Sequence, residues 1–415
     1  LRAIFYFDLK IHHKHIPWID ETMTQEEVLA TTNRDLTDQQ LWDNIAADFR
    51  FAANTLPDVQ QDVGRASALS AKAYLAKTLL YQAYEQDELH NVVNINQQKL
   101  EEVVSLVDSI EASGQYGLYD DYAENFLIEF ENGKESVFAI QRSLNDGSPD
   151  GRGSWSSALN APMSGGFGCC GFHVPTENFV NAFKTDNSGL PRFNTFNDSE
   201  YNVINDHVDP RLDHTVAMEG KPFKYDPDLI HGGDSWARAP GIYGNYTGMK
   251  DLEHPECDCR GENGPFPIFS LNTVLVRYAD VLLWKAEALI ELDRWEEATP
   301  IINRLRERAA ASTARLNDAS LYRIGTYDTF TSKAEARQAL RWERRVELGL
   351  EGHRFFDLVR WGVAKETIDE YLTTERGRKP YLEDAAFTKN KHEYLPIPNQ
   401  QINLSGGIYI QNPGY

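Results

Sequence analysis

The sequence shows no excess of basic residues. Its 63 Asp and Glu outnumber 41 Lys and Arg and leave a formal net charge of −22, so the electrostatic footprint of a nucleic-acid binder is missing. That balance argues against polyanionic partners and is compatible with a neutral ligand or with bound cations. It is spread along the chain and not gathered in an acidic tail. There is also no uninterrupted apolar run of the roughly 18 to 20 residues that crosses a bilayer. The opening residues hold no charged leader followed by an apolar stretch. The chain begins inside an amphipathic pattern, Leu1 to Leu9, without an initiator Met; the expectation is that the natural N-terminus, with any export signal or lipid anchor, lies outside this sequence.

Cysteine is scarce: Cys169 with Cys170, and Cys257 with Cys259, each pair in a glycine-containing irregular stretch. Two cross-loop disulfides formed in an oxidising compartment are the favoured reading. A four-thiolate zinc site competes, although zinc pairs usually carry roughly two to four intervening residues, and unpaired buried thiols are a third option. No HExxH, nucleophile elbow or phosphate loop occurs. Their absence weakens an enzyme reading without removing it, since a glycosidase needs only two suitably placed carboxylates.

What is present is ordinary globular composition, 415 residues with 41% hydrophobic and 25% charged, enough for one extended unit or two intimate subdomains. Residues 66–85 place Ala71, Leu75, Thr78, Leu79 and Gln82 at three- and four-residue steps among many alanines, the pattern of a closely packed helix. A second helix, 97–113, turns Leu100, Val103, Val104, Val107 and Ile110 to one face, so the two form an antiparallel hairpin. The arrangement returns at 275–309, where an Ala-rich helix ends near Leu292 and another starts at Trp295. Such pairs resemble tetratricopeptide units, which cannot bury a face alone and therefore imply further hairpins. Candidates are Asp38 to Thr55, with Leu41, Ile45, Phe49 and Ala52 inward, and a helix from the N-cap Ser332 to Leu350. Between Asp120 and Leu271 the period fades into Gly, Pro, Asn and Asp, with short strand-like runs such as Ser136 to Arg142. The expected fold is mainly α: a tetratricopeptide-like scaffold over 1–119, a loop-rich insertion with small β elements over 120–271 that carries the ligand site, and a C-terminal helix pair and closing segment over 272–415.

Several strings, in order, resemble the SusD/RagB family: LRAIFYFDLKIHHKHIPWI at the start with Pro17 in the expected turn, GRASALSAKAYLAKTLLY from Gly64, SGLP at Ser188 and DPRL at Asp209. The most specific are RYADVLLWKAEAL from Arg277, RRVELGLEGHRFFDLVRWG from Arg344, and YLPIPNQQINLSGGIYIQNPGY from Tyr394 to the end. The Gly-Asp that usually precedes the family's turn proline is replaced by His13 to His15. The resemblance implies a non-enzymatic, cell-surface lipoprotein of a Gram-negative outer membrane. It would hold oligosaccharides, or in some members peptides, for import through a SusC-like TonB-dependent transporter.

The cluster Glu343, Arg344, Arg345, Glu347, Glu351, Arg354, Asp357 and Arg360 reads as a structural ion-pair network, because so many arginines hold the carboxylates ionised. His12, His13 and His15 read as a solvated turn into Pro17 in preference to a metal site. Sugar binding calls for exposed aromatic faces with polar groups beside them. Trp42, Trp284, Trp295, Trp342 and Trp361 lie in expected helices and read as core, whereas Trp18, Trp155 and Trp236 do not. Trp155, in a polar Gly-rich stretch, ranks first as a platform, followed by Trp236, Tyr243 and Tyr246, with Arg152, Asn160, Asn145 and Asp146 as hydrogen-bonding neighbours. Asp251, Glu253, Asp258 and Glu262 could bind Ca²⁺, although a solvated acidic loop is the better reading, and no other cofactor is expected. The competing functions are a peptide receptor of the same fold, a glycoside hydrolase and a purely structural helical adaptor.

Overall fold

A computed structural model describes residues 1–148 and 152–415. Among these the protein is mainly helical, 43% helix and 11% strand, with fifteen helices and small scattered sheets. No described helix is long and apolar enough to cross a membrane.

Ten helices build the scaffold and the site: α1 Arg2–His13, α2 Asp38–Thr55, α3 Ala68–Ala83, α4 Gln97–Ala112, α5 Trp155–Asn160, α6 Tyr278–Glu291, α7 Trp295–Ala311, α8 Lys333–Glu347, α9 Arg354–Arg360 and α10 Ala364–Arg378. Their starts are written in the sequence. Thr37 and Ser67 form capping boxes with Gln40 and Ser70, and Asn96 and Ser332 accept from backbone amides of the first turn, which satisfies donors a helix end would leave orphaned. Helix α3 is buried on nearly every side, with Ala68, Ala71, Ala73, Ala76 and Ala83 among its contacts. These small residues let α2, α4 and α6 approach it closely. Helix α6 is enclosed in the same way by α4, α7 and α8. One large apolar core runs through all these pairs, from Ala3 to Phe387. The closing segment returns to the start of the chain, where Asn412 Nδ2 donates to the His13 carbonyl and Asn33 Nδ2 to that of Ile410, at 2.8 and 2.9 Å.

The small sheets are two-stranded. A hairpin of Tyr84–Gln86 and Val92–Ile95 interrupts the chain between α3 and α4, an element absent from the sequence reading. Ser136–Ile140 pairs antiparallel with Thr273–Arg277, which ties the base of the irregular region to the start of α6. That region has its own core of Phe167, Phe223, Trp236, Leu252 and Phe269. A third cluster, with Phe183, Leu212 and Val346, joins it to α8.

Charged side chains fill the space between these cores. Glu347 accepts from Arg211, Arg277 and Arg308 at 2.8, 2.9 and 2.5 Å, all of them buried. Arg344 bonds Asp357 and Asp280, and Arg360 bonds Asp357 and Glu287. Burial alone would raise these carboxyls, but the guanidiniums outweigh it and hold Glu347 and Asp357 well below the usual carboxylate range. Of the charged cluster anticipated as one network, Arg345 and Arg354 stand apart, with no carboxylate within reach among the described residues.

Two further expectations are corrected. Each disulfide closes within its own loop, Cys169 to Cys170 and Cys257 to Cys259, and not across loops. The two loops meet instead through the Arg260 guanidinium, which donates to the Gly166 carbonyl at 2.7 Å. The segment before Pro17 is no solvated turn: Lys14 and His15 are buried, because the hairpin after α3 and the returning C-terminus close over them. Burial, reinforced by the charge of Arg34, pushes His15 down to about 3 and keeps it neutral. No group of three or more His, Cys, Asp or Glu side chains with metal-holding geometry occurs among the described residues.

Candidate functional site

Two cavities, of about 470 and 1150 Å³, lie where the irregular region meets the scaffold, the smaller at the loop between α8 and α9 and the larger along α8, α9 and α10. Both include His173, Leu350 and Gly352 in their walls, so they form two arms of one groove. Ligand clefts typically occupy roughly 300 to 1,000 Å³, and this groove has room for an extended ligand.

The smaller arm is walled by Phe126, Leu127, Phe130, Leu159 and Phe172, with Lys250 and Glu351 among its polar residues. Lys250 Nζ donates to Glu351 Oε1 at 2.7 Å and to the Glu347 carbonyl at 3.1 Å, and it lies 4.8 Å from the centre of the Phe126 ring. Burial pushes Lys250 down to about 8, with Glu351 pulling the other way. Arg277 donates to both oxygens of Glu351, at 3.0 Å each. Together with Lys250 it overcomes burial and takes this carboxyl down to about 2. Asp251, in the same wall, is raised by burial and by the charge of Glu351.

The structure separates the residues singled out from sequence. Trp155 opens α5 and is 51% exposed, its ring packed edgewise on Phe266 at 5.8 Å. Helix geometry sets the exposed Leu159 one turn beyond it. Phe172, 47% exposed, is joined to that turn by its amide, which donates to the Leu159 carbonyl at 3.0 Å. Asn160 lines the smaller arm and donates to Asp251 Oδ2 at 2.9 Å. Arg152 meets Asp146 at 3.1 Å. Asp146 also accepts from Ser148 and Ser143, which together lower its carboxyl, and Asn145 takes the left-handed backbone of that turn, φ +55°. Tyr243 is 43% exposed and faces Tyr381 at 5.4 Å.

Trp236 and Tyr246 do not serve as platforms. Trp236 is only 5% exposed and is enclosed by Phe167, Phe223 and His231. Tyr246 is half-buried and donates its hydroxyl to Glu177 at 2.8 Å; burial first, then that carboxylate, raises the phenol. In the acidic stretch, Asp251 is bonded to Asn160, Glu253 accepts from the Ile128 amide at 2.6 Å, and Glu262 lies 3.4 Å from Arg260. Trp342, assigned to the core, is half-buried in the wall of the larger arm with Phe193 and Phe196 against it. Phe172 and Lys250 were missed altogether; a lone aromatic after a Cys-Cys-Gly run and a lone lysine carry no spacing signal.

A model of the SusD family matches residues 134–415, more than half of the chain. The chain belongs to the SusD family. SusD-like protein P2 of Formosa agariphila is 26% identical over 419 residues, covering 100% of this chain and 72% of that protein. Among solved structures, a SusD-like carbohydrate-binding protein of Bacteroides fragilis superposes with a TM-score of 0.71 at 23% identity, covering 98% of this chain and 77% of that one. A laminarin-binding SusD-like protein gives a TM-score of 0.65 at 22% identity, with 100% and 77% covered. At these identities the structural likeness shows the SusD-like fold.

Proposed function

We propose that this SusD-family protein is a cell-surface glycan receptor, which captures oligosaccharides without turning them over and passes them to a SusC-like TonB-dependent transporter of the outer membrane. The observation that carries this reading is the exposed Trp155 on the short helix whose Ser156, Leu159 and Asn160, with Phe172, line one arm of a two-armed groove rich in amide, hydroxyl and guanidinium groups. An indole face matches the apolar C–H face of a pyranose, and the polar walls suit its hydroxyls. Support comes also from solved relatives of the same fold, one binding laminarin and one crystallised with a xylogluco-oligosaccharide. Family members are in general cell-surface outer-membrane lipoproteins, and that location is extended here to this chain.

A hydrolase reading would use Asp251, whose carboxyl is raised, with Glu351, whose carboxyl is lowered. Glu351, however, accepts three charged hydrogen bonds from Arg277 and Lys250, which lower its basicity and suit a structural counter-ion better than a base or nucleophile. Calorimetric titration with oligosaccharides and peptides, followed by product analysis, tests the proposal. The expected outcome is sugar binding without products, weakened about tenfold by Trp155→Ala, the scale of one aromatic contact. Binding of peptides alone would replace the glycan reading with a peptide receptor. Released sugar fragments would overturn the non-enzymatic one.

A further inference from the structure

The larger arm of the groove carries positive charge that the protein itself does not neutralise. Five arginines line it: Arg337, Arg341, Arg344, Arg345 and Arg354. Two are answered within the fold, since Arg337 closes on both oxygens of Glu291 at 2.6 and 2.5 Å, and Arg344 bonds Asp357 and Asp280. The other three form no ion pair with any described residue. Arg345 reaches only Asn178, at 2.5 Å to its side-chain oxygen and 3.2 Å to its carbonyl, with its guanidinium 5.1 and 5.2 Å from the rings of Phe196 and Trp342. Arg341 lies 4.9 Å over Trp361. Arg354, at the start of α9, donates to no described protein atom.

Aromatic faces hold the Arg341 and Arg345 guanidiniums in place without cancelling their charge. Of the carboxylates in the wall, Asp357 is taken by Arg344 and Arg360, while Asp198 and Glu370 stand exposed. Burial, deepened by the charge of Arg354 and opposed only by Glu370, pushes Arg345 down to about 9. Burial likewise pushes Arg354 down to about 10, with Asp357 opposing and Arg341 and Arg344 adding to it. A guanidinium does not give up its proton at physiological pH. The site therefore keeps desolvated like charges side by side, an arrangement that an incoming anion relieves. The net charge of −22 argues against long polyanions over the whole surface, but local charge decides what enters a cleft.

We propose that this arm binds an acidic sugar unit, a uronate carboxylate or a sulfate ester, between Arg341, Arg345 and Arg354. The planar guanidinium fork pairs bidentately with either anion. Gln338, Asn194 and Thr367 in the same wall supply groups for ring hydroxyls. The inference rests on the glycan-receptor reading and names its substrate class.

The test titrates the whole chain with short oligogalacturonates, with their uncharged methyl esters, with a sulfated oligosaccharide and with sodium sulfate alone. Acidic oligosaccharides are expected to bind at least about tenfold more tightly than the esters, and this preference, unlike ester binding, should shrink as NaCl is raised. Arg341→Gln with Arg354→Gln should abolish the preference, whereas Trp155→Ala should weaken acidic and neutral sugars by the same factor. Equal affinity for acid and ester in the unaltered protein, or a preference untouched by salt and by the arginine variants, would overturn the proposal. If these variants fail to fold, the salt series on the unaltered protein decides. Binding of sodium sulfate with no sugar of either charge would sink both the acidic-sugar assignment and the glycan reading. Binding of the esters with no preference for the acids would sink the acidic-sugar assignment alone.

Discussion

Gly165 has a φ of +67°, and a Cβ placed there would run into the Trp236 ring, as would one on Gly232. These glycines admit a large indole into the core of the irregular region because neither carries a Cβ, and Gly165 also takes a left-handed backbone that other residues rarely adopt. Trp236→Ala is therefore expected to destabilise the protein by about 3 to 5 kcal/mol, the cost of emptying a buried aromatic site, and Gly165→Ala by more than about 1 kcal/mol. Trp155→Ala should change stability by no more than about 1 kcal/mol, since half of the ring is already in water. Urea unfolding of the three variants checks this; a Trp155 variant as unstable as the Trp236 variant would make Trp155 a packing residue. The sequence ranks Trp155 ahead of Trp236 but does not show that Trp236 is buried, because both stand in polar, glycine-rich strings. Burial there depends on which distant glycines face the ring, and single-residue composition does not encode that.

Helix α8 works on two faces at once. Glu343, Arg344 and Glu347 point into the buried ion-pair network, while Arg341 and Arg345 face the groove. Removing the charge at Glu347 would leave Arg211, Arg277 and Arg308 partly unanswered in a dry interior. Glu347→Gln is expected to cost about 3 to 5 kcal/mol, and Arg345→Gln far less, because it breaks no ion pair. Thermal unfolding of the two variants tests this, and comparable losses would contradict the division of the helix. The helices themselves were legible: period, caps and alanine density placed α2, α3, α4, α6, α7 and α8 to within a few residues. The hairpin after α3 was not, since strands of three and four residues are too short to show a period. Nor could sequence tell which arginines of the RRVELGLEGHRFFDLVRWG string are paired, because Asp280 and Glu287, which answer Arg344 and Arg360, come from far along the chain.

At the scale of the whole molecule, the buried titratable groups set where the fold is most stable. His15, His90 and His231 are held near 3, 4 and 4 by burial, below the ordinary 6.5. The unfolded chain takes up their protons first, so stability falls as pH drops from about 6.5. Glu351, held at about 2 against an ordinary 4.5, contributes stability that is complete above 4.5 and is lost as pH falls through 2. Lys14 and Lys250 sit at about 8 against 10.5. Their folded-state penalty is full below 8 and relaxes between 8 and 10.5, so stability rises with pH across that window. Tyr119 and Tyr371 are raised to about 12 from 10, chiefly by burial, and stability falls again above pH 10 as the unfolded phenols ionise. Maximum stability is therefore expected near pH 8 to 10, above the more usual range of about 5 to 8. Urea titrations from acid to alkaline pH, in enough salt to screen the self-repulsion of a chain at −22, would locate it. A maximum at pH 5 to 6 would mean that the buried lysines are solvated and that Lys250 does not stand as a desolvated cation beside the groove.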